Sequence, residues 1–578
     1  VSSNAQISAP VGSATQRASL KRRITASVIL ILAAFTVYFP VLHGNWLWDD
    51  TTLIRDNPVM ADAGGVWKFW LAPPGPDFFP LTSTVEWSLW RIFGDHTLPY
   101  HLLSLALHLL SAFLIWRLFT RLGLRLAWLG ALLFVVHPLA VESVAWISEL
   151  KNTLSLPLLL FSLLFWLNYD ERTRPTDFCA ALVFFLLALL AKTSVVMLPF
   201  ILLLHAWWKH GGITREKFLA IAPFFIVSMV LGLLTLFFQN LWAIGTEPID
   251  AGGLSARAIG AGQALFFYMG KLFWPVNLLP TYPPWHFDQI SPVQFLPWVL
   301  IVAVLGFLIA QRSSACCRAM LLGLGFFVIN LAPVLGFLNM SYMRIAWVAD
   351  HFTYLPMLGV IGLVVAGLDK VLTILPRLLL APAAGILVLL LFTLGWQASN
   401  YAANFRSPLA LWSYTARSLP SSWIAEMNLG MSLVDLQDLP DAVEHLTRAA
   451  QINNDYYGTH LVLANTLSQM KRYDDAAQHY FIAEHLRPES LEVHVNYGAV
   501  LLTLGDVHGA EVQCEMAVYF HPDSVAAHYN YANILLRENR PRDAILQYQA
   551  ALQLQPGFTP ARVALDKLHA AIAPPAAT

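Results

Sequence analysis

"KRRITASVILILAAFTVYFPVLHGNWLWDD", Lys21–Asp50, sets a basic triplet, an apolar run and two adjacent acids in a row. The run Ile24–Leu42 is about as long as a helix that crosses the hydrocarbon of a bilayer. It has no small-residue cleavage site, so it reads as a retained signal anchor rather than a removable leader. Lys21, Arg22 and Arg23 place its beginning in the cytoplasm by the positive-inside rule, and Asp49 and Asp50 then emerge on the far side. The rest of the chain agrees with a membrane setting. Of 578 residues, 57% are hydrophobic and only 12% charged, and the mean hydropathy is +0.57, far outside soluble composition.

Working outward, apolar blocks of spanning length lie at about 24–42, 98–119, 124–141, 152–169, 176–192, 194–208, 217–238, 293–311, 317–337, 352–370 and 378–398. The expected fold is therefore all-α, a polytopic bundle of about eleven spans with a soluble region behind it. Alternate connections are basic (Arg121/Arg125, Arg172/Arg174, Lys209/Arg215/Lys217, Arg312/Arg318, Lys370/Arg377), as cytoplasmic loops should be. Ala258–Val276 is short in its continuous apolar part and is broken by Lys271. It is taken as an interfacial or re-entrant element on the outer side. The expected domains are a disordered cytoplasmic tail over 1–23, a membrane domain over 24–400, an extracytoplasmic repeat domain over 401–573 and a disordered end over 574–578.

The soluble region repeats every 34 residues. Leu429-Gly430, Leu463-Ala464, Tyr497-Gly498 and Tyr531-Ala532 are equivalent, as are Ala442, Ala476, Ala510 and Ala544, then Ala449, Ala483, Ala517 and Ala551, then Asn454, Pro488, Pro522 and Pro556. Small residues at those points let two helices of a hairpin approach closely. The pattern resembles tetratricopeptide repeats: four repeats, a half repeat at "PLALWSYTARSLP" before them and a capping helix over 557–571. Such arrays bind polypeptide on a concave face, so a protein partner is expected here. With a net charge of −1 and no basic stripe, nucleic acid is excluded as a partner. Cys179, Cys316, Cys317 and Cys514 have no metal-ligand spacing and frame no disulfides.

Ionisable groups at the ends of spans are costly and mark function. On the outer side these are Asp49/Asp50; His137, Glu142, Glu149 and Lys151 in "VVHPLAVESVAWISELKNT"; Lys192; Glu247 and Asp250; Arg344; and Asp350/His351 with Tyr354 in "ADHFTYLP". "DDTTL" also reads as a helix N-cap. The tryptophans Trp46, Trp48, Trp67 and Trp70, and the "YPPWHF" stretch Tyr282–Phe287, also suit an interfacial belt.

"WDDTTLIRDNP", "FFPLTSTVEWSLWRIFGDHTLPYHLLSLALHLL", "VHPLAVESVAWISELKN", "AKTSVVMLP" and "ADHFTYLPMLG", in that order and followed by the repeats, resemble the transmembrane and tetratricopeptide-repeat O-mannosyltransferases and their bacterial relatives, which are C-type polytopic glycosyltransferases. The resemblance implies transfer of a sugar from a polyprenyl-phosphate or -diphosphate carrier to an acceptor, with inversion at the anomeric carbon. It implies Asp49 as general base and Asp50 as its partner, with the order of the two roles open. His137 and Glu142 would then bind sugar and acceptor or hold a divalent metal, although no ligand spacing demands a metal or any other cofactor. Lys192, Arg344 and His351, with Lys151 and Lys271 behind them, would meet the leaving phosphate, beside Asp350 and Tyr354. Where the family has Ala-Asp-Arg-Tyr-Thr-Tyr, this chain has histidine at 351. The implied setting is a bacterial inner membrane with site and repeats in the periplasm and a secreted or pilus-like protein as acceptor. A non-catalytic repeat scaffold for envelope proteins is the alternative.

Overall fold

The computed structural model describes residues 11–71, 78–244, 249, 252–285, 287 and 289–572. Glu247, Asp250 and the last five residues, which enter the expectations above, lie outside them. The chain divides into two compact units, Val1–Leu411 and Trp412–Thr578. Among the described residues both are helical and strands are absent, so the all-α reading holds. The first helix begins at Val11, so the stretch expected to be a disordered tail is helical for its second half.

Each of the eleven apolar blocks forms a helix or a bent pair of helices in the first unit. Eight are long and apolar enough to cross a bilayer. A ninth span is counted if Ala127–Val136 and Pro138–Ala145, bent by 62° at His137, are taken together. The other two fall short: Pro175–Ala191 has 17 residues and Leu198–His210 has 13. Leu254–Phe273, taken above as an interfacial or re-entrant element, is one unbroken helix of 20 residues with Lys271 in its last turn. Its small residues admit a close neighbour, since a Cβ on Gly260 would lie 2.3 Å from the Trp347 ring.

Ile147–Arg172 is the central helix, with 72% of its apolar window buried, against 6% for the outer helices Pro292–Ala310 and Arg377–Arg406. The helix also sorts charge. Near its start lies Glu149 and near its end Asp170, roughly 30 Å apart at the helical rise. Asp170 pairs with Lys209 at 2.7 Å and with Lys217, and Arg121 pairs with Glu171 at 2.8 Å. Three of the expected basic loops, those of Arg121, Arg172 and Lys209–Lys217, thus meet at one end of the bundle, while Glu149 belongs to the acid-rich other end.

In the second unit the period of 34 becomes four helical hairpins, from Trp423–Asp435 and Leu439–Ile452 to Val525–Arg537 and Pro541–Leu554, closed by Thr559–Ile572. The repeated alanines are buried where the helices touch. Gly430 is needed at its contact, because a Cβ would lie 2.6 Å from Leu446 Cγ.

A second ladder was not visible in the sequence reading. At one register, residues 19 apart join the two helices of each hairpin: Glu426–His445 at 2.6 Å, His460–His479 at 3.1 Å, His494–Gln513 at 2.7 Å and His528–Gln547 at 2.7 Å. The other ring nitrogen of His460, His494 and His528 donates to the carbonyl of Asn454, Pro488 and Pro522 respectively. The periodic residue that ends each repeat therefore supplies an acceptor as well as a stop.

His460–His479 differs from the others because two imidazoles share one hydrogen bond. Burial holds both rings below the usual histidine range, and His479 is lowered further by His460. With neutral rings favoured in the fold, their stability contribution is complete above about pH 6.5 and is lost as pH falls through the lowered folded values. Taking the pH from 7.5 to 5 should lower the amide protection factors, observed exchange divided into the intrinsic rate at each pH, in Tyr457–Gln469 and Tyr473–Leu486 by about fivefold or more, the cost of one broken buried hydrogen bond. Leu491–Leu504 serves as the internal control. In His479→Gln the effect should shrink, and an equal loss of protection in all three helices would refute this origin.

Candidate active site

The 62° bend at His137 is made by Pro138, which opens the next turn. It directs Pro138–Ala145 along the acid-rich end of the bundle and places Glu142 there, fully buried. Both Glu142 oxygens are used by His351. Oε1 meets His351 Nδ1 at 2.8 Å, and Oε2 accepts from the His351 backbone N–H at 3.0 Å. Two motifs 209 residues apart are thereby clamped together. The Glu142 carboxylate accepts from Nδ1, so Nε2 is the ring atom turned to other partners.

Beside this pair, Glu149 is the centre of a buried ionic network. Lys151 Nζ lies 3.2 Å from its Oε1 and Lys192 Nζ 3.4 Å from its Oε2. Asn152 Nδ2 donates to Glu149 Oε2, and Asn152 Oδ1 accepts from Lys192 at 2.7 Å. Buried charges persist only when paired and hydrogen-bonded in this way. Asn152, Lys192, Ser194, Asn330, His351 and Tyr354 line a small cavity of about 30 Å³, so one amine and one imidazole face a common space.

The two aspartates are held differently. Asp50 is fully buried. Its Oδ1 accepts from the Ser148 backbone N–H at 2.7 Å and from the Ser148 hydroxyl, and its Oδ2 accepts from Leu47 N–H at 2.9 Å. It precedes the Thr51–Arg55 turn but makes no side-chain cap there, so the N-cap reading fails for this residue. Burial pushes its carboxyl up to about 7 against the pull of those hydrogen bonds. Asp49, next to it, is only half-buried. Trp48 has a φ of +40°, a strained value for a bulky residue, and its ring stacks on Trp146 at 5.5 Å and 5°. The turn is closed by Asp50 N–H to Leu47 O at 2.7 Å. Asp50 thus anchors a strained turn that carries Asp49.

The remaining expected residues are placed as follows. At His137, Nδ1 accepts from Leu139 N–H at 3.2 Å within the bend and Nε2 lies 3.0 Å from Leu272 O, so one nitrogen closes the bend and the other ties it to a neighbouring helix. A metal held jointly by His137 and Glu142 is disfavoured for the same reason, because His351 and Leu272 occupy their ligand atoms. Lys271 donates to Val276 O at 2.7 Å and Asn277 O at 3.0 Å, away from the phosphate role. Tyr354 lends its ring to the cavity while its hydroxyl meets His108 Nδ1 at 2.8 Å. Asp350 is fully buried, accepts from the Tyr282 hydroxyl at 2.9 Å and is raised well above the carboxylate range by burial. Arg344 is half-buried in the Ser341–Arg344 turn and is not among the cavity-lining residues.

Sequence reasoning passed over Ser148 and Glu86. Nothing local marks Ser148, whose partner is 98 residues away. Glu86 did carry a signal: it lies one turn after Thr82 on the buried face of Pro80–Phe93, where an acid is out of place.

Residues 76–241 match the family model described as dolichyl-phosphate-mannose-protein mannosyltransferase, and residues 433–480 and 515–557 match tetratricopeptide-repeat models. A protein O-mannosyl-transferase of Caenorhabditis elegans, F38B6.6, is 23% identical over 74% of this chain and 63% of its own length. Protein O-mannosyl-transferase Tmtc3 of Drosophila melanogaster is 20% identical over 82% of this chain and 60% of its own length. The chain therefore spans about three-fifths of the length of these curated relatives. Among solved structures, the tetratricopeptide-repeat protein YrrB is 18% identical over 27% of the chain, with a TM-score of 0.26. The resemblance read from the motifs is borne out: this chain carries a mannosyltransferase-type membrane segment followed by tetratricopeptide repeats, and is similar to the transmembrane and tetratricopeptide-repeat protein O-mannosyltransferases.

Proposed function

We propose that the protein is an inverting membrane glycosyltransferase that moves a sugar from a polyprenyl-phosphate-type carrier to a hydroxyl of a protein held by its repeats. The observation that carries this reading is the pairing at the outer end of the bundle. A half-buried acid, Asp49, stands on an anchored turn, while Lys192 and His351 face a cavity from the same end. A base for the nucleophile and cations for the leaving group are the two parts that such a displacement needs.

In this scheme Asp49 takes the proton of the acceptor hydroxyl as its oxygen bonds to the anomeric carbon. The bond from that carbon to the phosphate oxygen breaks, and the electron pair leaves on the lipid phosphate. Lys192 and His351 stabilise that charge, with Arg344 nearby in sequence. Asp50 positions the base through Ser148 and Leu47. Glu142 sets the orientation of His351, and Glu149 that of Lys192. No step requires a metal. The proposed setting is a bacterial inner membrane, with the start of the chain cytoplasmic and the site and repeats in the periplasm.

The test is intact-mass comparison of secreted and envelope proteins from cells with and without the gene. At least one protein should lose mass in whole hexose-sized steps when the gene is deleted. Unchanged masses together with misassembled envelope proteins would favour the scaffold role instead.

A further inference from the structure

The helix Ala315–Leu331 lies in one of the spans and ends in the apolar stretch "GFFVINL", Gly325–Leu331. Its only amide side chain is that of Asn330, which is 6% exposed. A polar group inside a span is costly and, as a rule, functional. Half of this amide is accounted for, because Nδ2 donates to Phe326 O at 2.8 Å. A carbonyl can only accept, so the nitrogen must stand at that end. The oxygen is then the end of the amide left for the cavity, which Asn330 lines together with Lys192, Ser194 and His351.

The neighbours of that oxygen indicate what it takes. The helix packs on the Thr193–Met197 turn, which carries Ser194 and follows directly on Lys192. Around the shared space Lys192 is held by Glu149 and Asn152, Asn152 Nδ2 by Ser143 and Glu149, and the Tyr354 hydroxyl meets His108. Asn330 adds to the cationic wall a neutral acceptor. Turned to a phosphate, an amide oxygen would set acceptor against acceptor, whereas a hydroxyl brings it a proton. A lipid-linked sugar carries both groups side by side, phosphate oxygens for the cations and ring hydroxyls for the amide.

We propose, on the transferase reading above, that Asn330 is a specificity-determining residue of the donor site, its side-chain oxygen accepting a hydrogen bond from one hydroxyl of the lipid-linked sugar while Lys192 and His351 hold the phosphate. The cavity then reads the donor at two points, its charge at one wall and a hydroxyl at the other. A sugar lacking that hydroxyl would bury the amide oxygen without a partner, and the site would reject it.

The experiment titrates the purified full chain in nanodiscs with short-chain dolichyl-phosphate-mannose, with analogues that each lack one sugar hydroxyl, and with dolichyl phosphate without sugar. Binding is read from thermal stabilisation, and sugar transfer is measured separately. In wild type one analogue should bind about tenfold more weakly than the parent, the loss of one buried hydrogen bond. Asn330→Leu, similar in volume, should bind the parent about tenfold more weakly and should bind that analogue and the parent within about twofold of each other. Its affinity for bare dolichyl phosphate should match wild type. Loss of the hydroxyl and loss of the amide are then not additive, a coupling that a residue merely supporting the helix would not show.

Analogue deficits that all persist in Asn330→Leu overturn the proposal. So does a wild type that binds every analogue like the parent or the parent no better than the bare lipid, and so does an Asn330→Leu that weakens the bare lipid as much as the parent. If Asn330→Leu yields no folded protein, Asn330→Ala goes through the same series, where a deficit kept overturns the assignment and a deficit lost supports it. Wild type that transfers no sugar, with the deficit abolished by Asn330→Leu, supports the subsite and sinks only the transferase reading. Sugar transfer by wild type with the deficit kept in the variant does the reverse.

Discussion

Asp49→Asn should lower sugar transfer by about two to four orders of magnitude, the usual contribution of a general base, with the thermal midpoint unchanged. The substitution removes the capacity to accept a proton at almost constant volume. The anchor of the turn belongs to the neighbouring Asp50 through Ser148 and Leu47, so the turn should stay closed around the asparagine. Donor and partner binding should survive. The measurement is transfer to a purified acceptor by protein in nanodiscs, alongside a melting curve. Full activity would remove Asp49 from the chemistry, whereas lost activity with a lowered midpoint would mean that the residue supports the fold.

Asp50→Asn should fail differently. The carboxylate receives three donors, two from Ser148 and one from Leu47, while an asparagine side chain offers one oxygen and turns an NH2 toward one of those N–H groups. A buried donor left unpaired costs about 1–3 kcal/mol, so midpoint and turnover should fall together, turnover by about 10- to 100-fold.

The pH dependence separates this variant further. The carboxyl of Asp50 titrates near 7 in the fold and near 4 in an unfolded chain. Between those values the folded state keeps a proton that the unfolded state has released, so stability falls as pH rises through the window. Activity should move the other way, because the ionised form completes the anchor. Wild type should therefore lose stability from about pH 4 to 7 and gain turnover from about pH 6 to 8, and Asp50→Asn should show neither trend. A wild-type profile flat across that range would exclude Asp50 as the anchor.

Features set by local spacing were legible in the sequence. The buried alanines at 442, 476, 510 and 544 recur because each hairpin must solve the same close approach, and a period needs no knowledge of distant contacts. Lys209 and Lys217, grouped in one basic loop by the sequence, both meet Asp170 at one end of the bundle. Span count was less secure at Leu198–His210, where a run of apolar residues is shortened by a 3-10 turn over Thr193–Met197.

The site was legible as a set of residues but not as a set of partnerships. Glu142 and His351 were both singled out, yet nothing in either motif says that one grips the other. For His137, "HPLAVE" gives no sign that the Leu272 carbonyl meets its ring. Glu86 was overlooked because its motif was read for resemblance rather than for the face of the helix on which the acid falls.

The clamp between Glu142 and His351 also has a consequence in time. The two residues are 209 positions apart, and a ribosome adds about 5–20 residues per second. For about 10–40 s during synthesis, then, Glu142 exists without the partner that occupies both of its oxygens in the finished protein. Over that interval the nascent chain has to keep an uncompensated acid near water, so the acid-rich end of the bundle cannot close until the late helices have been inserted. A chain cut short before residue 351 would retain the aspartate turn and the central helix, but this end of it would stay open and hydrated. Completion of the chain is thus itself the event that assembles this end of the molecule.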